Sequence, residues 1–404
     1  MQQLLNKTLL VAILLSAVSA SLTGQAVACQ TASNGQNVQP GTGLPCVNTV
    51  VSAVPFLRIT PDARGGAMGD AGLALSPDAN AIHYNASRLA FTDQDLALSA
   101  TYTPWLQALG LNDVYLAYLA GFKRLDENQT VGLGLRYFSL GDIQYTNENN
   151  EPQGIGKPNE FEIAATYARR LTPNFGLSIT GKYINSNLAA GQQVGGQVIE
   201  AGQSIAADLG VTYRSEPIGP SGNILAIGGA ITNIGSKISY TLDTIRDFLP
   251  ANLGIGAAYT FNLDQYNQIT LTAETNKLLV PTPCPSGVTN CTRSQTEIDD
   301  LSPISGILTS FGDAPGGFSE EIKEFTWTVG AEYWYAQQFA VRAGYFHEDQ
   351  TKGGRRYLTA GLGLKYNIFG INLSYLVPTS NQRNPLDNTL RFSLLFDFGA
   401  EALP

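Results

Sequence analysis

From about residue 95 to its C-terminus the chain repeats one pattern, segments of about 9–13 residues in which apolar side chains alternate with small or polar ones. A period of two puts each set on its own face of an extended strand, and this length suits a tilted strand crossing a bilayer. Gln129 to Ser139 sets Val131, Leu133, Leu135 and Tyr137 against Gly132, Gly134, Arg136 and Phe138. Glu160 to Arg170 sets Phe161, Ile163, Ala165 and Tyr167 against Glu162, Ala164 and Thr166, and Ser204 to Arg214 sets Ile205, Ala207, Leu209, Val211 and Tyr213 against Asp208, Gly210, Thr212 and Arg214. Leu390 to Phe398 puts Leu390, Phe392, Leu394, Phe396 and Phe398 on one side, with Arg391, Ser393 and Asp397 on the other. Similar segments start near Leu96, Asn112, Phe175, Asn223, Asn252, Gln268, Glu324, Phe339, Arg356 and Ile368, about fourteen in all.

The apolar stripe needs lipid or a core to face. Charged residues are only 14% of the chain, against about 25% in soluble proteins, which argues against a soluble sandwich with a Lys- and Glu-rich outer face. In lipid every backbone polar group must pair between strands, and only a closed barrel achieves that with strands. The predicted fold is therefore all-β, a transmembrane antiparallel barrel of about 14 strands with a short N-terminal plug. The links support it, because short ones (Leu125 to Asn128, Leu171 to Asn174, Leu263 to Tyr266, Ala336 to Gln338, Asn367 to Phe369) alternate with long ones (Gly141 to Asn159, Asn187 to Gln203, Ile234 to Pro250, Lys277 to Lys323). Outer-membrane barrels have short periplasmic turns and longer outside loops. An even strand count then predicts both termini in the periplasm.

Charge placement agrees with a barrel. Arg136, Glu162, Asp208, Arg214, Glu274, Glu332, Arg342, Lys365, Arg391 and Asp397 all fall opposite the apolar stripe and would point into the lumen. An Arg or Lys on the lipid face near the midplane would cost roughly 2–4 kcal/mol. Mixed signs point to a lining of paired charges rather than a single-sign ion filter. Tyr137, Tyr167, Tyr213, Tyr259 and Tyr366 lie near strand ends on the lipid side, as an aromatic girdle would, and Phe396-Asp397-Phe398 gives the last strand an aromatic end before the tail 399–404. The net charge is −9 with no basic cluster, which excludes an electrostatic nucleic-acid footprint.

At the N-terminus, Lys7, the apolar run Leu9 to Val18 and the small residues Ser19-Ala20-Ser21 and Ala26-Val27-Ala28 have the order of a secretory signal peptide, with cleavage after either Ala20 or Ala28. The run is short of the roughly 20 apolar residues of a spanning helix. Cys29 follows Ala28, but Ala26 stands where lipid processing needs a bulkier aliphatic residue. The organisation read here is a signal over 1–28, a flexible lead-in over 29–55, a plug segment over 56–94 and the barrel over 95–404. The four cysteines, Cys29, Cys46, Cys284 and Cys291, form either two disulfides, favoured in an exported chain, or free thiols. Cys284 and Cys291 bracket the turn-rich Pro285-Ser286-Gly287-Val288-Thr289-Asn290, and Cys29 with Cys46 would close a similar loop. No His lies near either pair, which disfavours zinc. No cofactor is expected.

The plug segment contains Arg58, then Pro61-Asp62-Ala63-Arg64-Gly65-Gly66-Ala67-Met68-Gly69-Asp70-Ala71-Gly72, then Ser76-Pro77-Asp78-Ala79-Asn80-Ala81-Ile82-His83-Tyr84-Asn85. The Gly-rich part lacks the Lys-Ser/Thr end of a phosphate loop, and its small residues suit tight packing inside a narrow lumen. Expected partners for Arg58 and Arg64 are Glu162, Asp208, Glu274 and Glu332. These two runs resemble the N-terminal signature of the PorV family, outer-membrane components of the type IX secretion system, and the resemblance continues through the barrel. Family members usually have Pro after the last Asn, where this chain has Asn85-Ala86-Ser87. The family's barrel is similar to that of FadL, with fourteen strands and an N-terminal plug, and PorQ is a sister of the same architecture.

The resemblance implies a role without catalysis. PorV-type proteins bind the C-terminal signal domain of secreted cargo and carry it from the SprA-type translocon to the surface attachment complex with its PorU-type sortase. The residues agree with a non-enzyme, since His83 and His347 are the only histidines and no Ser–His–Asp set can be assembled. The rival reading is a FadL-like transporter of long-chain fatty acids or other hydrophobic compounds, which has the same fold. For partner binding, the longest outside loop carries Ile304, Ile307, Leu308, Phe311 and Phe318, which have no lipid or core role there and mark either a protein contact or a lid over the barrel mouth. Trp105, in the first outside loop, is a second expected anchor.

Overall fold

The structure, a computed structural model, describes residues 30–31, 37–38, 46–106, 110–146, 151–194, 197–241, 246–284, 291, 293–379 and 389–399. The signal peptide and its cleavage points, Cys29, and the tail beyond Gly399 lie outside the described residues. Fourteen strands close into one antiparallel barrel. They are β1 (Leu96–Pro104), β2 (Val114–Arg124), β3 (Gln129–Leu140), β4 (Asn159–Thr172), β5 (Phe175–Asn187), β6 (Gly202–Arg214), β7 (Ile224–Gly235), β8 (Asn252–Asn262), β9 (Asn267–Leu278), β10 (Phe325–Tyr335), β11 (Phe339–His347), β12 (Arg356–Tyr366), β13 (Phe369–Pro378) and β14 (Leu390–Phe398). Each pairs with its neighbours in sequence, and β14 pairs with β1 to shut the ring, Phe398 opposite Leu96 and Phe392 opposite Tyr102.

The period of two explains the wall. Leu133 on β3 is 66% exposed to the lipid side and Arg136 on the same strand is 1% exposed on the lumen side. The short turns are tight. Between β10 and β11, Ala336 and Gln337 take φ of 51° and 54°, the left-handed geometry that matches strand twist in a hairpin. Among the described residues five short α-helices occur: α1 (Ala63–Ala67) and α2 (Ala81–Tyr84) before the barrel, and α3 (Gln295–Asp300), α4 (Pro303–Thr309) and α5 (Phe318–Glu321) in the link between β9 and β10. The link between β3 and β4 carries a hairpin of Ile143–Thr146 with Pro152–Gly156.

The segment before β1 runs the length of the lumen. At the long-loop end, the Asn48 amide donates to the Thr351 carbonyl and the Ala53 amide to the Phe248 carbonyl, both at 2.9 Å. Phe56 then stacks on Phe138 with centroids 6.5 Å apart. Midway, the Ala63 amide donates to Ser393 Oγ at 2.9 Å. At the short-turn end, Thr130 Oγ1 donates to the Leu89 carbonyl at 3.1 Å and the Asp95 amide to the Phe398 carbonyl at 3.2 Å. The expectation that both termini share one side concerns residues outside those described; of the described chain, Cys46 and Phe398 lie at opposite ends of the barrel, Cys46 among the long loops. An even number of wall strands does return the wall to the side where it began, but the segment before β1 adds one more crossing. Cysteines introduced as Val51→Cys and Glu127→Cys, both exposed positions, are expected to react with a membrane-impermeant maleimide from opposite sides of the membrane. Labelling of both from one side would refute the threaded path.

Candidate functional site

Inside the barrel the plug meets the wall at backbone distance. Asp62 caps α1 by accepting from the Gly65 amide at 2.9 Å, and its other oxygen accepts from Tyr84 Oη at 2.7 Å. The turn after α1 needs Gly69, at φ 74°, and it presses on Gly344 of β11, where an added Cβ would lie 2.1 Å from the Gly69 nitrogen. Glycine on the wall opposite glycine in the plug is what permits this approach. Met68 is fully buried beside it.

Charges then lock the two together. Arg64 forks onto Glu332 of β10 at 2.7 and 2.9 Å and onto Asp78 at 2.9 Å. Glu332 also accepts from Arg342 of β11 at 2.6 Å, and Arg342 donates on to Asn372 at 2.8 Å. Arg391 of β14 lies 3.8 Å from Asp70, which also accepts from Tyr357 Oη. Across the lumen a second set runs from strand to strand. Arg136 is 3.7 Å from Glu162, Lys182 is 3.7 Å from Glu162 and 2.8 Å from Asp208. Asp208 takes the Asn233 amide at 2.7 Å where the β6–β7 register shifts, so the bulge's freed donor is satisfied. Arg136 also donates to the Phe56 and Leu57 carbonyls at 3.2 and 3.0 Å and to His83 Nδ1 at 2.5 Å, which requires that ring nitrogen to be unprotonated. Glu274 caps the amides of Gly72 and Leu73 at 2.9 and 2.7 Å. In the second set two cations face two anions, so the lining is neutral locally, as a paired lining must be.

Several site residues differ from the sequence reading. Arg58 does not reach any of its four expected partners. It lies 4.0 Å from Glu348, an acid just beyond β11 that also forks onto Arg355 at 2.8 Å. The reason is the threaded path, which leaves Arg58 at the long-loop end. Lys365 pairs with Asp397 at 2.6 Å near the short turns, and Arg214 is half-buried there, both apart from the central sets. Lys182 was missed although its place between Gly181 and Tyr183 gives it the lumen-side parity. Between plug and long loops remains a cavity of about 130 Å³ edged by Arg58, Asp70, His83, Tyr84, Glu274 and Arg355.

The long-loop end is pinned by a further ionic set that strand parity cannot reveal. Lys277, at the end of β9, contacts Glu321 at 2.7 Å and Glu324 at 2.5 Å; Lys352 contacts Glu320 at 2.6 Å and Glu324 at 2.9 Å. Asn48 Nδ2 of the N-terminal segment joins by donating to Glu320 at 3.1 Å. Cys284 and Cys291 are bonded to each other, with Cα atoms 5.8 Å apart; Cys46 is itself disulfide-bonded and packs against that pair. Although burial pushes them up, the Glu320 carboxyl is held below its ordinary value by Lys352 and the Glu348 carboxyl by Arg355. Burial lifts Asp313 the other way, to about 6, against the opposing hydrogen bond from the Thr282 amide.

Helices α3 and α4 form because their starts are capped. Ser294 and Glu297 make a reciprocal capping box, and Ser302 caps α4 with Pro303 at its first position. α4 turns Gly306 toward Phe248 and leaves Ile304 and Leu308, one turn apart, 56% and 69% exposed. Phe311, Phe318 and Ile322 are also exposed, Phe318 at 80%, while Ile307 is half-buried. Trp105 is corrected as a surface anchor. It is 5% exposed and packs edge-on against Phe138 at 5.9 Å, because the chain turns inward after β1 and joins the aromatic layer around Phe56.

The fold and its filled interior define the class, an outer-membrane β-barrel whose lumen is occupied by its own N-terminal segment. The chain belongs to the family described as type IX secretion system protein PorV, whose sequence signature matches residues 46–285. No curated protein matches the chain. Among solved structures it is similar in outline to the Ralstonia pickettii toluene transporter TbuX, at 13% identity and TM-score 0.48, over 83% of this chain and 98% of that one. The Pseudomonas putida toluene transporter TodX gives 13% and 0.46 over 88% and 100%. A Pseudomonas aeruginosa FadL homologue gives 10% and 0.44 over 87% and 100%.

Removing one partner of the buried Arg64–Glu332 pair, by Arg64→Ala or Glu332→Gln, is expected to destabilise the barrel by about 3–5 kcal/mol, because an uncompensated charge stays buried. Arg58→Ala, at a long and partly exposed contact, should cost less than about 1 kcal/mol. Urea unfolding in detergent micelles checks both, and equal losses would refute the ranking. A pH effect also follows. Asp313 has its folded value raised from 3.8 to about 6, so its contribution is complete below the first value and lost as pH rises through the second. Glu320 and Glu348 run the opposite way, but lose their contribution only below the ordinary value of 4.5. Hydrogen exchange over 303–317, corrected for intrinsic rate, should be slower at about pH 5 than at about pH 7, and Asp313→Asn should flatten the difference.

Proposed function

We propose that this barrel binds the C-terminal signal domains of secreted cargo on its outside face. It carries them from a SprA-type translocon to the surface attachment complex with its PorU-type sortase, and it performs no chemistry itself. The short turns face the periplasm together with the end of β14, and the long loops and the N-terminal segment from Cys46 face the outside. The observation that carries the reading is the row of exposed apolar side chains, Ile304, Leu308, Phe311, Phe318 and Ile322, on a loop held by buried ion pairs. Apolar groups presented to water on a rigid support mark a protein contact. The polar inner side of the loop rests on the barrel mouth, so the loop acts as a lid as well, with the apolar row facing away. Ile307 belongs to the inner, supporting side.

The rival role, passage of a long-chain fatty acid or similar compound, fits the interior poorly. The luminal cavity of about 130 Å³ is edged by charged side chains, whereas sites for drug-sized ligands are mostly apolar and span about 300–1,000 Å³. The double substitution Leu308→Asp with Phe318→Asp tests the proposal. Assembly in the outer membrane should be unchanged, since exposed positions tolerate substitution within about 0.5 kcal/mol. Recovery of a cargo C-terminal domain in pull-down should fall at least about tenfold, the loss of one modest hot spot. Unchanged recovery from a normally assembled variant would remove this row from the mechanism.

A further inference from the structure

The lipid-facing wall is not evenly convex. Across β1 to β4 it carries an apolar groove of about 1000 Å³ on the side of the short turns. Its flanks are Leu98, Leu119, Leu133, Leu135 and Ile163, between 40% and 66% exposed. Its floor is made where outward positions hold small residues, Ala100, Gly121 and Ala165. Gly121 matters most: Leu98 packs across it so closely that an added Cβ would lie 2.6 Å from Leu98 Cδ2. Along β3 the groove runs from Val131 to Leu135, about 13 Å at 3.3 Å per residue, which at a strand tilt of about 40° reaches about 10 Å into a leaflet whose hydrocarbon depth is half of about 30 Å.

The mouth of this groove is cationic. Lys123 of β2 lines it, and Arg169 of β4 is the outward residue two beyond Tyr167, which stands level with Lys123 across β3. Both are exposed, and two strand spacings with a two-residue step along β4 set their Cα atoms about 12 Å apart. The neighbouring Arg124 is satisfied by Asp95 at 2.9 Å. Asp126, close enough to Arg169 to feel its charge, accepts from the Asn128 amide and from Gln129 Nε2. Elsewhere the same rim is aromatic, with Tyr266 and Tyr335 6.4 Å apart and Tyr366 73% exposed. A one-leaflet apolar groove beneath two cations is complementary to an acyl chain beneath a phosphate.

We propose that this sector is a binding site for one anionic phospholipid of the leaflet on the short-turn side, its acyl chain in the groove over Gly121 and its headgroup phosphate against Lys123 and Arg169. The choice of phospholipid over the lipid A of the opposite leaflet rests on the orientation proposed above. Maleimide labelling of Glu127→Cys in intact cells reports that orientation separately, so the two can fail independently. The test is native mass spectrometry of the full mature protein released from detergent with phosphatidylglycerol or phosphatidylcholine of identical chains, or with lipid A. Wild type should retain phosphatidylglycerol preferentially, by roughly fivefold per cation, the ratio that corresponds to about 1 kcal/mol per Lys or Arg. Lys123→Gln with Arg169→Gln should abolish the preference while keeping residual binding of both lipids. Gly121→Leu with Ala165→Leu, which fills the floor, should lose both lipids from a protein that still shows the heat-modifiable migration of a folded barrel. Equal retention of the two lipids by wild type, a preference that survives the charge variant, retention by the filled variant, or stronger retention of lipid A would each overturn the proposal.

Discussion

A ring of fourteen strands is wider than its own inward side chains can fill. The backbone is content, since every strand edge is paired, but the interior must be either water or protein. Here it is protein, and most of the molecule's unusual features answer that demand. The wall offers Gly344 to Gly69 of the plug and places Glu332 and Arg391 where Arg64 and Asp70 arrive. Burying such charges is tolerable only when each is met, so wall and plug specify one another residue by residue. The lumen is thereby filled by the chain's own N-terminal segment.

In the proposed function the working surface is the long-loop end. Lys277 and Lys352 with their three glutamates hold the β9–β10 link in one shape, and the N-terminal segment adds Asn48 to the same set. The apolar row on α4 and α5 is therefore a preformed surface rather than a loop that orders on contact, which spares a partner the entropy of folding it. Membership of a secretion family is consistent with a barrel that handles proteins at its rim.

The wall was legible in the sequence because a period of two maps parity directly onto lipid or lumen. Leu133 and Arg136, Ile205 and Asp208, Phe392 and Arg391 all fall on the expected faces, and Lys182 obeys the same rule though the apolar stripe drew attention away from it. Which charges pair was not legible. Neighbouring strands are displaced along one another, so Arg136 stands level with Glu162 while Lys182 meets Asp208 diagonally, and parity holds no information on displacement. The direction of the plug was hidden because residues 46–95 have no period to mark it, and from that gap came the wrong partners for Arg58. The helices of the long link did leave a trace, Ser294 three before Glu297 and Ser302 before Pro303, whereas the burial of Trp105 depends on a turn that nothing local announces.

The path of the plug has a topological consequence. Residues 46–95 pass through a ring formed by the rest of the same chain, as an axle passes through a wheel. On one side the axle continues into the rim as β1. On the other it broadens into the bonded Cys46 and the contacts of Asn48 and Ala53. The rim itself is joined at a single weld, β14 to β1. Once Cys46 is bonded, the axle cannot be withdrawn without parting the weld or pulling the bonded end through the hub. The bonded end is thus a stopper, and the closed wall and the threaded segment hold one another in place.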